Sequence, residues 1–409
     1  MHMSSPCSPG RCLLALVSLC MLAACGKDGD LSSALDGGIG RSVTEPAASP
    51  RPIAWTDVLT AVEGNDTLVP LPRSLCWSGP EILVADGARQ RIEAFDAGGR
   101  HLRGFGREGS GPGEFRRLDV VRCSRDGESV LAVDPAKMRV QFFGRDGYYR
   151  GAAPAPPTPQ GVPYLGEFAL HDDGRWFDSW LGAILGPYFT SDEWKRVKVV
   201  RSWAADGAAQ GEFGKPFPFQ DPVLHRVFNK VYLTLHRDTL WALSQGPAVI
   251  RSFALGGGSE GSRIFLPVYH RGEEPWIEVE GGGPGFRHNR AVYQPNVSGI
   301  AVVFDTLFAT IRYRNWRMVD VERRKGEGFK DYWPESSVEV FDRKGRVAAA
   351  YSVPGRVSAI ASDNAHRVAV ISEDLDTGVQ SILLAGLPSP RVVEQTTVAA
   401  RPYDARPGS

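Results

Sequence analysis

Apolar residues in this chain fall in short runs, alternating or fully apolar, separated by glycine, proline and polar turns. "EILVADGARQRIEAFDAGGRHLRGFG" holds two such runs, Ile82 to Ala85 and Ile92 to Phe95. "SVLAVDPAKMRVQFFGRDGYYRG" holds two more, Val130 to Val133 and Val140 to Phe143. The two stretches share one plan: Asp86 matches Asp134, Arg91 matches Arg139 and Phe95 matches Phe142. The offset is about 47 residues, the length of one four-stranded propeller blade. Helical periodicity is missing over any useful length, so the pattern predicts an all-β chain.

Between the two stretches lies "GFGREGSGPGEF", Gly104 to Phe115. Gly104, Gly106 and Gly109 fit G-x-G-x-x-G, but a dinucleotide-binding turn must open a helix. Here Pro112, Gly113 and a new alternating run follow, which excludes a nicotinamide-cofactor reading. With its flanks the stretch resembles the NHL-type six-bladed β-propellers, in its V-A-D, R-I-x-x-F and F-G-x-x-G-x-G-x-G-x-F elements. That resemblance is strong over about residues 75–150 and faint beyond, with echoes at Gln210 to Phe219 and Glu280 to Phe286. It implies that the glycines carry the chain from the outer strand of one blade to the inner strand of the next. Glycine suits such a path because it tolerates φ > 0.

Four further blades are predicted. Their runs are Phe168–Leu170, Arg175–Trp180 and Val197–Trp203; Val231–Leu235, Thr239–Leu243 and Val249–Leu255; Ile300–Phe304, Leu307–Ile311, Val338–Phe341 and Val347–Tyr351; and Val357–Ala361, Val368–Ile371 and Gln380–Leu384. The expected architecture is a six-bladed β-propeller of four-stranded antiparallel blades, with seven blades or a pair of β-sandwiches as rivals. Either Trp55–Val62 or Val392–Val398 would supply the strand that closes the ring.

The N-terminus reads differently. Arg11 precedes an apolar run from Leu13 to Ala24, too short to span a bilayer. It ends in Leu22-Ala23-Ala24-Cys25, which resembles a bacterial lipobox. Residues 1–24 are therefore expected to be a signal peptide and Cys25 the lipidated N-terminus of the mature chain. Gly26 to Pro52 is rich in small and polar residues and reads as the rest of a flexible tether over 25–52. The propeller then spans 53–398, and 399–409 is a disordered tail. Gly26 rather than Asp after Cys25 favours the outer membrane of a bacterial envelope.

Charge and cysteines narrow the function. Lys+Arg and Asp+Glu are both 47, so no basic field draws in nucleic acid. Beyond Cys25 two cysteines remain, Cys76 and Cys123, at matching places near the ends of the first strands of neighbouring blades. They form either a disulfide or two buried thiols. The eight His show no zinc spacing, and a nucleophile elbow is missing. Asp86 and Asp134 read as caps of the hairpin between second and third strands, and Arg91 and Arg139 as framework.

Three long segments stand out: Ala183–Lys195, His270–Val297 and Asn315–Glu335. In a four-stranded meander all three emerge on one face, over blades three to five. They carry Tyr188, Trp194, Trp276, Arg287, Trp316, Arg317, Tyr332 and Trp333, the aromatic-plus-arginine composition of binding hot spots. The alternative is that these loops pack on one another and plug the channel. The expected function is a membrane-anchored binding or scaffolding module for a protein, peptide or glycan. The alternative resembles the gluconolactonase-type propeller hydrolases, which would place a divalent metal at the axis.

Overall fold

The structure, a computed structural model, describes residues 50–57, 69–155, 166–179, 196–217, 229–269, 297–314, 335–374 and 377–390. It also gives the backbone of Ser42–Val43, Ile277–Val279 and Arg290–Val292. All of these belong to one unit, Ile39–Ser409. Cys25 and the eight loop residues named above lie outside the described residues.

Six four-stranded antiparallel sheets form a ring, a six-bladed β-propeller. The inner strands are Pro72–Ser78, Val120–Cys123, Glu167–Leu170, Val231–His236, Val297–Val303 and Arg356–Ser362. Each lies beside its neighbour, and Arg356–Ser362 returns beside Pro72–Ser78 to close the circle. Blades one to five are meanders of consecutive strands. Blade six takes its outer strand from the N-terminal side: Thr56 pairs with Leu384 and Asp57 with Leu383. That is the first of the two closures the sequence allowed; Val392–Val398 lies outside the described residues.

The N-terminal segment engages the ring before it reaches blade six. Arg51 bridges Tyr351 in the outer strand of blade five, and the Trp55 indole donates to the Ser352 carbonyl at 2.8 Å. Within the stretch read as tether, Ser42–Val43 pairs in parallel with Val268–Tyr269.

The core is not central. It consists of slabs between blades, because alternate residues of each strand face opposite neighbours. One slab joins Leu83, Ala85 and Ile92 to Val121, Val130 and Phe143; another joins Trp241 and Ile250 to Val302 and Phe308. Fully burying such a side chain stabilises by roughly 1.5–3 kcal/mol.

The glycine-rich stretch is the connection from blade one to blade two, and its chemistry is local. Gly106 and Gly113 adopt φ of 79° and 73°. A Cβ on Gly106 would stand 2.7 Å from the Phe115 ring, which is fully buried. The Glu114 carboxylate accepts from the Ser110 and Gly111 amides and pairs with Arg107, so the loop wraps a side chain of its own. Gly214, with φ of 73°, begins the corresponding connection after "QGEF" in blade three.

Asp86 caps its hairpin by accepting from the Ala88 amide at 2.9 Å. Asp134 does something else. Its turn is a short 3-10 helix, Pro135–Lys137, without a side-chain cap, and its carboxylate accepts from the amides of Arg116 and Arg117. Asp134 therefore ties its hairpin to the connection from the previous blade instead of capping its own turn.

Cys76 and Cys123 form a disulfide with Cα atoms 5.6 Å apart, joining the inner strands of blades one and two. The sequence separation is 47, and closing a loop of that size stabilises by about 3–4 kcal/mol in the chain-entropy treatment. On its other side blade one packs against blade six, which carries the closure. Replacing both cysteines by alanine should lower unfolding free energy by about that amount in chemical denaturation. An unchanged midpoint and slope would show that the bridge adds nothing to stability.

Candidate functional site

Inner strands converge on an axial channel of about 230 Å³ that touches all six blades. For scale, an apolar cavity of roughly 150 Å³ holds one benzene. The lining is asymmetric. Among the described residues every charged one in the lining, Arg73, Asp119, Arg122, Arg125 and Glu167, comes from blades one to three. Blades four to six contribute Leu235, Ile300, Ala359, Ile360 and small or hydroxylic residues.

Most of the charge is already paired. Arg122 crosses from blade two to blade three, donating to the Phe168 carbonyl at 2.9 Å and pairing with Glu167 at 2.8 Å. Arg117 holds Asp119 at 2.7 Å, while burial pushes the Asp119 carboxyl above the ordinary carboxylate range.

A second asymmetry lies in the backbone. The inner strands of blades two, three and four keep a continuous register with their neighbours. Those of blades five, six and one do not. Arg73 is an extra residue between Pro72 and Ser74 and Ser358 one between Val357 and Ala359, while Gly299 and Ile300 together face the single Thr310. All four line the channel. A bulge leaves its backbone groups outside the ladder and re-aims a side chain. Gly299 sits at φ 61°, and a Cβ there would stand 2.8 Å from Ile360 Cγ2. Glycine is thus what lets blade five approach blade six.

The two ends of the channel differ. Turns joining first to second and third to fourth strands within a blade share one face, and among the described residues each is short. The other face receives the chain ends at Ser179 and Val200, at Phe265 and Val297, and at Arg314 and Glu335. Those ends carry the three long segments. The aromatic and arginine candidates attach there, and the bulges lie toward the same end, early in their strands.

On the short-turn face the strongest polar cluster is His236, Asp305, Arg237 and Arg343. His236 ends the inner strand of blade four, nearly buried, with Nε2 3.3 Å from Asp305 Oδ1. Among the described residues its Nδ1 has no hydrogen-bond partner. Arg237 pairs with the same carboxylate at 2.5 Å. Phe304 and Asp305 take φ of 50° and 57°, a two-residue turn of the hand that suits a twisted hairpin. The amide of Asp305 donates to the Asn364 carbonyl at 2.9 Å, so one turn stitches blades four, five and six.

Deep in the blades three arginines grip the loop-bearing face from below. Arg251 donates to the Lys215 carbonyl at 2.6 Å and lies over the Phe217 ring. Burial pulls its guanidinium down to about 10, still charged at neutral pH. Arg312 donates to Pro267 and pairs with Glu339, both side chains fully buried. Arg201 pairs with Asp178, whose carboxyl burial pushes up, and the Trp203 indole donates to the same carboxylate at 2.7 Å.

Among the described residues no three His, Cys, Asp or Glu side chains cluster so as to hold a metal ion. The sequence reading missed Arg73, Asp119, Arg122, Glu167 and Ser358. Nothing in their spacing marks them, since they meet only when six separate strands close a ring.

The class is that of six-bladed β-propellers. No family model matches the chain, and no curated protein matches its sequence. Among solved structures it is similar to a member of the DUF4221 family from Bacteroides vulgatus, with a TM-score of 0.51 at 10% identity, covering 77% of this chain and 92% of that one. It is also similar to a streptogramin B lyase, with a TM-score of 0.44 at 12% identity over 81% and 97% of the two chains. A protein of unknown function from Bacteroides caccae gives 0.42 at 12% identity over 71% and 85%. At these identities the likeness speaks of the fold alone.

The buried histidine yields a pH dependence. Burial lowers the His236 pKa from 6.5, Asp305 opposes this, and Arg125, Arg237 and Arg343 reinforce it. The unfolded chain therefore binds the proton more readily, so stability rises with pH through the window below 6.5 and is lost as pH falls. In denaturant titrations between pH 7 and pH 5, His236→Gln should flatten that loss. An identical slope in both proteins would remove His236 as its source.

Proposed function

We propose that this chain is a binding or scaffolding propeller, held to a bacterial envelope membrane through a lipid on Cys25. The outer membrane is its site, and the loop-bearing face is its working face. One observation supports this most. The three long segments attach at strand ends on a single face of a rigid ring, around the channel mouth, while the described turns on the other face stay short. Long loops on a rigid scaffold are where binding groups concentrate.

Their composition fits the role. Tyr188, Trp194, Trp276, Trp316, Tyr332 and Trp333 offer large area at low side-chain entropy. Arg287 and Arg317 can pair with carboxylates or stack on rings. The partner is a protein, peptide or glycan outside the cytoplasm. Kinship to the NHL-type propellers belongs to this reading as well, through the Val84-Ala85-Asp86 and Gly104–Phe115 elements.

A double change, Trp316→Ala with Trp333→Ala, tests the assignment. Capture of the partner by cross-linking in intact cells should weaken while the melting temperature barely moves. If the two rings instead plug the channel, the same change should cost several kcal/mol of stability, roughly 3–5 for each buried ring. A large loss of stability with unaltered capture would overturn the binding assignment.

A further inference from the structure

We propose that the loop-bearing face carries, over blades one and two, a basic platform that docks on anionic lipid headgroups and turns this face toward the membrane. The inference rests on the anchored reading above and names the surface that the loop-bearing face meets.

Three segments build the platform: the turn 86–91, the connection 107–119 and the turn 134–139. They are bonded into one piece. The Leu118 amide donates to Gln90 Oε1 at 2.6 Å, and the Arg116 and Arg117 amides to the Asp134 carboxylate at 3.1 Å. Arg139 donates to the Ser110 carbonyl at 3.0 Å. The segments hold seven bases and five acids, and the two signs are sorted by depth. Asp86 and Asp134 are fully buried, while Glu114 and Asp119 keep side-chain exposures of only 21% and 11%. Arg89, Arg107, Arg116, Arg117 and Lys137 are exposed, and Glu108 is the one exposed acid of the three segments. The Arg116 guanidinium has a hydroxyl as its partner, Ser110 Oγ at 3.0 Å, so it carries its charge outward. On the opposite face the exposed signs alternate: Arg125 stands beside Asp126 and near Glu128, and Arg237 beside Asp238.

The path of the N-terminal segment points the same way. Ser42–Val43 pairs with Val268–Tyr269, which follow the loop-bearing end of the blade-four outer strand, Glu260–Phe265. Ser42 is 17 residues after Cys25, and small, polar residues taken as a coil of that length span about 23 Å. The ring is roughly 20 Å tall along its longest inner strands, Pro72–Ser78 and Arg356–Ser362. A lipid on Cys25 therefore holds the loop-bearing face nearer the bilayer, and the opposite face lies farther by the height of the ring. Exposed arginines and lysines at a membrane surface are drawn to anionic headgroups, and a guanidinium fork matches a phosphate. That proximity favours a lipid surface over an acidic polypeptide.

Cosedimentation with vesicles tests this, using the full-length mature chain with Cys25→Ser so that no lipid tethers it. The chain should sediment with vesicles of phosphatidylcholine and phosphatidylglycerol and stay in solution with phosphatidylcholine alone. Raising salt from about 0.1 M to about 1 M shortens the screening length from about 10 Å to about 3 Å and should release it. Arg116→Gln with Lys137→Gln should weaken binding roughly fivefold for each charge removed. Arg100→Gln with Lys344→Gln, on the opposite face, should leave it unchanged. All four residues are exposed, so the melting temperature should hold in both double variants. No binding to the anionic vesicles, equal binding to both kinds, or an equal loss from the two double variants would each overturn the proposal. Binding of polyglutamate in preference to the anionic vesicles would overturn it in favour of an acidic polypeptide. Vesicle binding by the Cys25→Ser chain, with no lipid found on wild-type Cys25, would sink the anchor alone. A lipid on Cys25 with no vesicle binding by the Cys25→Ser chain would sink the platform alone.

Discussion

Each blade of a propeller must bind its neighbours largely through side chains and a few turn amides, because no ladder hydrogen bond crosses from one blade to the next. In this chain arginine meets that constraint repeatedly. Arg103 donates to the Arg145 carbonyl from blade one to blade two, and Arg122 to Phe168 from two to three. Arg175 donates to Leu255 from three to four. Arg139, Arg251 and Arg312 hold carbonyls of the connection that leads into their own blade. A guanidinium has five donors and stays charged when buried, so it can satisfy crossover carbonyls that lack a ladder partner. Removing Arg251 or Arg312 leaves a part-buried carbonyl without its donor, and at Arg312 it also strips the buried Glu339 carboxylate of its guanidinium, which is destabilising.

Fixing the crossovers from below has a functional consequence. The connections sit on the loop-bearing face, so Arg139, Arg251 and Arg312 also secure the face on which the long segments attach to strand ends. The opposite face is tied by Arg103 and Arg175 across blades and by short Asp-to-Arg turns within them, such as Asp96 with Arg100, Asp342 with Arg346 and Asp363 with Arg367. One face is a frame of compact turns, and the other receives the strand ends to which the long segments attach.

The repeat made much of the fold legible. Two copies of one strand-turn-strand plan at a blade-length offset fixed the blade size, and periodicity located the strands of the later blades. The role of the glycine-rich stretch followed from what comes after it, a new strand instead of a helix. Asp134 was misread because its hairpin resembles that of Asp86 in pattern, while its partners, the amides of Arg116 and Arg117, lie in the preceding connection. Bulges were invisible: Arg73, Gly299 and Ser358 look like ordinary strand residues until register with the second strand is known. The pairing of Cys76 with Cys123 was left open for a similar reason, since matching positions do not fix the distance between two inner edges. The candidate loop residues stand out by composition alone.

The central claim is that the loop-bearing face is the one engaged in the cell. Lysine acetylation footprinting tests it directly, comparing intact envelopes with purified protein. Lys137 is exposed in the turn Pro135–Lys137 on the loop-bearing face, and Lys344 is exposed on the opposite face. The account predicts that Lys137 loses reactivity in the envelope while Lys344 keeps it. Protection of Lys344 with Lys137 left reactive, or equal reactivity of both in the two settings, would contradict it.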